Sequence, residues 1–199
     1  MKRIRAHFSA RLLAAPIEGD IPLDEEGDEQ EFSGKDTSLT PAQMKNSIPA
    51  LFSKVPWQSG IRVFDIGSGK PLMADALKQW FELKDITYLP YDKFNGESYN
   101  FETVNAIRSG KADVATASNL LNVIAEPKNR LTVYKQMYNA LKAGGRFYIS
   151  VYYDPNKRPG QSGKDKWQNH IPAKAYLEEV RTVFPDARIQ NGLITGTKI

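Results

Sequence analysis

Short apolar runs alternate with longer amphipathic stretches between residues 60 and 153. The short runs are rich in β-branched residues, which is typical of buried strands, and the longer stretches repeat their apolar residues with helical spacing. The pattern predicts strands at residues 60–67, 86–91, 112–117 and 146–153, and helices at residues 71–81, 99–109 and 127–142. Because parallel strands need a helix-length crossover between them, we expect a three-layer α/β sandwich around a mostly parallel sheet.

The two ends of the chain differ from this regular middle. Residues 1–31 have a basic start and then an acidic stretch with few large apolar residues, which predicts a mobile N-terminal extension. Residues 32–199 are predicted to form a single domain that opens with a helix at residues 41–55. The polar residues 154–169 predict a loop at the carboxyl edge of the sheet, a candidate for covering substrate. The remaining predicted elements are a helix at 172–184 and a hairpin of strands 187–190 and 193–198 around Asn191-Gly192.

The composition excludes several kinds of chemistry. The sequence has no cysteine and only two separate histidines, so disulfides, cysteine nucleophiles and thiolate metal sites are excluded and a histidine cluster is not expected. We therefore expect no metal. No stretch approaches the roughly 18 apolar residues of a membrane span, and no apolar signal segment follows the basic start. We expect no membrane partner and a cytoplasmic location.

Charge is distributed unevenly along the chain. Eight acidic residues and no Lys or Arg fall between Glu18 and Glu31, while the whole sequence has 27 basic and 23 acidic residues. The rest of the chain therefore has 15 acids against 27 bases, an excess of +12. This excess is compatible with a nucleic acid as partner, and equally with basic side chains that only face water.

A glycine turn follows the first predicted strand, at residues 65–69. Gly67 suits a sharp turn, and Gly69 has no side chain to block a ligand at the start of the next helix. Asp65 is placed to orient the turn or to engage a cationic ligand group. The turn lacks the Gly-Lys-Ser/Thr of a phosphate-binding loop, and Pro71 departs from the dinucleotide-binding pattern, so neither of those ligands is favoured.

Asp92 ends the second predicted strand, 27 residues after Asp65. A carboxylate at this position can accept hydrogen bonds from both hydroxyls of a ribose. Lys93 and Phe94 are then placed to flank an adenine, although Phe94 fits a role in the core equally well.

The third predicted strand ends in small and amide-bearing residues. Ser118 and Asn119 are expected beside the glycine turn, where they can contact a cofactor or orient an acceptor. Asn122 is expected to cap the following turn or to act in the same site.

Three segments of the chain, taken in order, resemble the signature of class I S-adenosylmethionine-dependent methyltransferases. These are Phe64-Asp65-Ile66-Gly67-Ser68-Gly69, then Tyr91-Asp92, and then residues 141–149 with their Leu-Lys-Ala-Gly-Gly turn. The resemblance implies a Rossmann-like seven-stranded sheet in the order 3-2-1-4-5-7-6, with strand 7 antiparallel, and S-adenosylmethionine as cofactor. It places Gly67 and Gly69 on the methionine side of the cofactor and Asp92 on its ribose. The full set of cofactor-binding candidates is Asp65, Gly67, Ser68, Gly69, Asp92, Lys93 and Asn119.

Several departures from the family pattern narrow the expectation. Pro71 replaces the usual third glycine, and residues 92–112 are short for a normal third strand, which we expect to be reduced. Residues 118–121 do not form an Asp/Asn-Pro-Pro-Tyr/Phe box, which argues against a DNA amino-methyltransferase, and the lack of cysteine excludes covalent cytosine C5 methylation.

The resemblance implies methyl transfer by direct displacement, to a nucleic acid or a small molecule that the sequence does not identify. Such a reaction needs no strong protein base, and no catalytic residue is assigned. Acceptor contacts are expected from Tyr152, Tyr153, residues 154–166 and Trp167. Two alternatives remain: a non-catalytic protein that binds S-adenosylmethionine, and a nucleic-acid-binding protein whose acidic segment 18–31 masks its basic surface.

Overall fold

The computed structural model describes residues 48–199 of the chain. The predicted extension at residues 1–31 and the first part of the helix predicted at 41–55 lie outside the described residues. The domain boundary therefore stays a prediction.

Five α-helices and eight strands lie within the described range. The helices are α1 (Ala50–Lys54), α2 (Pro71–Glu82), α3 (Asn100–Ser109), α4 (Pro127–Ala140) and α5 (Ala173–Arg181). The strands are β1 (Arg62–Ile66), β2 (Thr87–Tyr91), β3 (Ala112–Ser118), β4 (Leu141–Ser150), β5 (Gly160–Gly163), β6 (Lys166–Gln168), β7 (Arg188–Gln190) and β8 (Leu193–Thr197). A short 3₁₀ turn, Leu121–Val123, follows β3.

Six of these strands form one sheet in the order β2-β1-β3-β4-β8-β7. The strands β2, β1, β3 and β4 are parallel, and β8 runs antiparallel to β4 and β7. The register pairs Ile66 with Tyr91 and Ser118 with Ser150, so the four parallel strands end at one common edge. This carboxyl edge is the usual ligand-binding position in an open α/β sheet.

The α/β sandwich with a mostly parallel sheet is confirmed, and the third strand of the family order, which was expected to be reduced, is absent within residues 48–199. The order matches the family order 2-1-4-5-7-6, and no strand lies outside β2 in the described part of the chain. The physical reason is length: between β2 and β3 the chain forms one loop and the ten-residue helix α3. That crossover leaves no residues for an additional strand. The edge strand β2 contains Pro90, whose missing N–H suits an unpaired edge.

Two apolar cores cover the two faces of the sheet. Neighbouring strand residues point to opposite faces, so Val63 packs with α1 and α2, whereas Phe64 packs with α3, α4 and α5. The α1–α2 face is rich in aromatic rings. Phe81 contacts Phe52, Trp57 and Trp80 with ring centroids 4.9 to 5.6 Å apart.

The segment predicted as a loop at residues 154–169 contains a two-stranded antiparallel hairpin, β5 and β6. Its short polar strands carry no continuous apolar run, which is why the sequence pattern indicates only a loop. The hairpin lies outside the main sheet and contacts the 3₁₀ turn that follows β3.

Candidate functional site

The glycine turn after β1 is fastened to the end of β2. The N–H groups of Gly67 and Ser68 both donate to the carbonyl oxygen of Tyr91, at 2.7 and 3.2 Å. Gly67 and Gly69 have left-handed backbone angles, with φ of +73° and +83°, which only glycine adopts without strain. A Cβ atom on Gly67 would also lie 2.7 Å from Cδ1 of Leu120. Glycine is therefore required at position 67 by the turn and by the close packing of Leu120.

Asp92 joins the glycine turn to the loop after β2. Its Oδ2 accepts a hydrogen bond from the N–H of Gly69 at 2.9 Å. Its Oδ1 accepts three: from the N–H groups of Phe94 and Asn95 and from the side-chain amide of Asn95. The side chain is buried, with 8% of the residue exposed. A carboxylate oxygen accepts at least two hydrogen bonds, so Oδ2 retains one acceptor position for a ligand hydroxyl.

The first residue of α3 and the residue before it together bond both to the glycine turn and to Asp92. The Tyr99 hydroxyl donates to the carbonyl oxygen of Gly69 and accepts from Oγ of Ser68 at 3.1 Å. Burial raises the pKa of Tyr99, so the hydroxyl remains a donor at neutral pH. The side-chain amide of Asn100 accepts from the N–H of Asp92 at 3.0 Å and donates to its carbonyl oxygen at 2.7 Å.

Asn100 therefore satisfies both backbone groups of the residue that follows the edge strand, as a neighbouring strand would. Gly96 makes room for it, because a Cβ there would collide with the Asn100 side chain.

Asp65 lies behind the glycine turn in the core, with 2% of the residue exposed. Its two carboxylate oxygens accept from the hydroxyls of Tyr88 and Thr116, both at 2.6 Å. Burial raises the pKa of Asp65 to about 6, against the lowering effect of the two hydroxyls. The role of Asp65 shown by this geometry is to connect β1, β2 and β3 below the turn.

The other predicted site residues lie around the mouth of the turn. Lys93 is exposed, with Nζ 5.7 Å from the centre of the half-buried Phe94 ring. Asn119 is exposed and has a left-handed φ of +54°, and its N–H donates to the carbonyl oxygen of Ser150. Ser118 Oγ lies 3.4 Å from Ser150 Oγ, between the ends of β3 and β4.

Asn122 anchors the hairpin over the carboxyl edge. Its side-chain amide donates to Gln168 at 3.0 Å, its Oδ1 accepts from the N–H of Tyr152, and its carbonyl oxygen accepts from the N–H of Asn169. Asn169 in turn donates to the carbonyl oxygens of Leu121 and Ile124 at 2.9 and 3.0 Å. The 3₁₀ turn therefore fixes both the hairpin and the residues after β4.

The predicted acceptor-side aromatics have two different environments. Tyr152 and Tyr153 are exposed at 47% and 44%, and the ring of Tyr152 meets that of His170 edge to face at 5.9 Å. Trp167 is half-buried, and its indole N–H donates to Asn169 at 2.7 Å, so it packs the base of the hairpin.

Hydrogen bonds thus connect the glycine turn, residues 67–69, with Asp92. Asn119 and Lys93 lie at exposed positions next to this unit, and Asp65 is buried beneath it. Sequence reasoning did not assign Tyr88, Tyr99, Asn100 or Thr116. In the sequence, Tyr99 and Asn100 stand out only as two hydrogen-bonding residues at the start of a predicted helix, after an unusually short connection from the second strand.

Comparison with known proteins gives a result at the level of fold. The sequence matches no protein-family model and no curated protein sequence. Among solved structures, the chain is similar to PigF with SAH, at TM-score 0.52 and 19% identity over 84% of this chain and 60% of that one. It is also similar to phosphoethanolamine N-methyltransferase 2 of Haemonchus contortus in complex with S-adenosyl-L-methionine, at TM-score 0.51 and 14% identity over 79% of this chain and 45% of that one.

The molecule therefore has the fold of class I S-adenosylmethionine-dependent methyltransferases, as the sequence resemblance implied. It spans 60% or less of the length of these two structures.

Two further features of residues 48–199 bear on the kind of site. No group of three or more acidic or histidine side chains in this range is arranged to hold a metal ion. None of its helices is long and apolar enough to cross a membrane.

Proposed function

We propose that the protein binds S-adenosylmethionine at the glycine turn and transfers its methyl group to an acceptor at the carboxyl edge of the sheet. The observation that carries this proposal is the bonded unit of Gly69 and Asp92, which fixes the distance between the turn and the carboxylate. The similarity of the fold to two methyltransferases that were crystallised with SAH or S-adenosyl-L-methionine supports the same ligand.

The residues present fit this cofactor at its ribose. Asp92 Oδ2 has one protein donor and one remaining acceptor position, which suits a ribose hydroxyl. Phe94 and Lys93 follow Asp92 directly and are assigned to the adenine side. Gly67, Gly69 and Asn119 are assigned to the methionine side.

The chain contributes a rigid site to the reaction. Tyr99 and Asp92 fix the glycine turn before any ligand arrives, which lowers the ordering cost of binding. Asn122 fixes the hairpin next to the same edge, so one wall of the acceptor side is already in place.

The cofactor supplies a methyl group already activated by a positive sulfur. Transfer of that methyl group to an acceptor heteroatom would leave the electron pair of the carbon–sulfur bond on sulfur, and an acceptor proton, where there is one, would pass to water. Alignment is the main requirement of such a displacement, and we assign no protein base to it.

Calorimetric titration with S-adenosylhomocysteine tests the cofactor site. Wild type is expected to bind with a micromolar Kd. Asp92→Asn is expected to bind at least about tenfold more weakly, because an asparagine that keeps its oxygen toward Phe94 and Asn95 turns an N–H donor toward Gly69.

Glu97→Gln is the matched control, because it removes one negative charge from the exposed part of the same loop. Its Kd is expected to stay within about threefold of wild type. Absence of binding by the wild-type protein would contradict the proposal. Binding of S-adenosylmethionine without turnover on any acceptor would instead favour a non-catalytic binding protein.

A further inference from the structure

Two exposed tyrosines lie just after β4 at the carboxyl edge, separated from the strand by Val151. Tyr152 and Tyr153 stand where the chain leaves the sheet, beside the end of β3 and its neighbour Asn119. Hydrogen bonding by Asn122 fixes the Tyr152 backbone, and the His170 ring contacts the Tyr152 ring. The edge therefore offers aromatic surface on a fixed support, although neither ring is needed to fill a core.

Basic side chains continue this surface along the hairpin. Residues 152–168 contain four bases, Lys157, Arg158, Lys164 and Lys166, and two acids, Asp154 and Asp165. Asp154 is paired with Lys157 at 3.7 Å. Arg158 and Lys164 are exposed, the latter at the turn between β5 and β6. We call Tyr152, Tyr153, Arg158 and Lys164 the aromatic-basic rim.

The loops beside the hairpin carry exposed charges of both signs. Lys70 at the glycine turn and Lys93 after Asp92 are exposed, and Glu97 is the exposed acid of the loop after β2. Asp65 and Asp92 are buried and bonded within the protein. Asp75, near the start of α2, is a further exposed acid whose charge acts on Tyr99. The excess of positive charge at this edge therefore comes from the hairpin segment, which has four bases against two acids.

We propose that the aromatic-basic rim binds a single-stranded nucleic acid, and that this is the class of methyl acceptor; the inference rests on the proposed function. Tyrosine rings stack on bases of any sequence, and arginine and lysine contact the phosphates beside them. A duplex buries the faces of its bases, so stacking on this rim requires a single strand. A small neutral acceptor would not use the exposed cations.

Equilibrium binding to labelled 12-nucleotide strands tests the proposal. Mixed-sequence RNA and DNA strands show which of the two nucleic acids is preferred. A duplex of the DNA strand tests whether the bases must be exposed. Inorganic polyphosphate of equal charge tests the effect of charge alone. Either single strand is expected to bind at least about tenfold more tightly than the duplex and the polyphosphate, because only the strand offers base stacking. Its affinity should fall as salt rises.

Two double variants separate stacking from charge. Tyr152→Ala with Tyr153→Ala is expected to weaken binding to the strand by about tenfold or more and to leave polyphosphate binding unchanged. Arg158→Ala with Lys164→Ala is expected to lower the salt dependence by about 1.4 in the slope of log affinity against log salt.

The matched control is Arg108→Ala with Arg146→Ala. This pair removes the same charge from exposed positions at the end of α3 and in the middle of β4, away from the carboxyl edge of the sheet. It is expected to lose less than half as much affinity as the rim pair.

Titration of every variant with S-adenosylhomocysteine keeps the two proposals separate. No single-strand binding by a protein that binds S-adenosylhomocysteine would overturn this inference and leave the proposed function intact. Polyphosphate binding equal to strand binding, or equal losses from the rim and control pairs, would also overturn it. Failure to bind S-adenosylhomocysteine would overturn the proposed function instead.

Discussion

At the scale of single residues, the two aspartates of the glycine-turn signature have different environments. Asp92 sits at the mouth of the site and keeps an acceptor position, whereas Asp65 is enclosed by Tyr88 and Thr116 in the core. Both belong to the same sequence signature, and only the packing separates the carboxylate proposed to face the ligand from the internal one. This difference has a consequence for the pH dependence of folding.

Asp65→Asn is expected to remove a pH-dependent part of the stability. The pKa of Asp65 is about 6 in the folded protein, above its ordinary value of 3.8, so the folded state holds the proton more tightly than the unfolded state. The contribution of this group to the free energy of unfolding is full below pH 4 and falls as pH rises through 6, by about 3 kcal/mol. Urea denaturation between pH 4 and pH 7 measures it.

Relative to wild type, the Asp65→Asn protein should therefore gain stability as pH rises across this window. Asp113→Asn is the control of opposite sign. Although partial burial acts to raise the pKa of Asp113, its ion pair with Lys142 and the N–H of Arg62 lower it. The Asp113 contribution is therefore lost as pH falls. A difference between Asp65→Asn and wild type that does not change with pH would rule out a raised pKa at Asp65.

At the scale of elements, the start of α3 takes the place of a strand. The chain has no strand beyond β2 in the described range, and Asn100 bonds both backbone groups of Asp92 at that open edge. Tyr99, one residue earlier, bonds to the glycine turn. The shorter connection therefore still supports the glycine turn and the residue after β2.

Asn100→Ala is expected to destabilise the fold by about 1 to 3 kcal/mol, because it leaves the N–H and carbonyl groups of Asp92 without these partners. It should also weaken S-adenosylhomocysteine binding, since Asp92 bonds to Gly69. Asn105→Ala is the matched control, as Asn105 is exposed on the same helix. Chemical denaturation and calorimetry measure both effects. Equal changes of stability in the two variants would show that the hydrogen bonds of Asn100 to Asp92 do not contribute to the stability of the fold.

The sequence predicted the elements of this region better than their contacts. Apolar periodicity located β1, β2, β3 and α3 to within about a residue at most ends, because each buries one face or both faces against a core. It did not reveal the Asn100 and Tyr99 bonds, since hydrogen bonds between loops depend on which segments meet in space. The hairpin at residues 160–168 was missed for a related reason: it is held by Asn122 and Asn169 and not by an apolar face.

At the scale of the whole molecule, one sheet connects two cores that share no helix. Val63 and Phe64 are neighbours in β1 and face opposite cores, so a disturbance of one face reaches the other through the strand itself. Asp65 reinforces this link, because its hydroxyl partners come from β2 and β3. We therefore expect the two faces to unfold together.

Phe81→Leu tests this coupling. Phe81 is fully buried among Phe52, Trp57 and Trp80, and the smaller side chain should lower the free energy of unfolding by about 1 to 3 kcal/mol. Two of the three tryptophans lie in this aromatic cluster, so fluorescence reports mainly on the α1–α2 face, while far-ultraviolet circular dichroism reports on every helix and strand.

Within each protein, the fluorescence and circular dichroism signals should change at the same denaturant concentration, as a single cooperative transition requires. That concentration should be lower for Phe81→Leu than for wild type. Phe101→Leu provides the control, because the same substitution at a residue that is 67% exposed removes little buried surface. A fluorescence transition that precedes the circular dichroism transition would show that the α1–α2 face unfolds by itself. In that case the glycine turn, which leads into α2, would lose its support before the rest of the sheet melts.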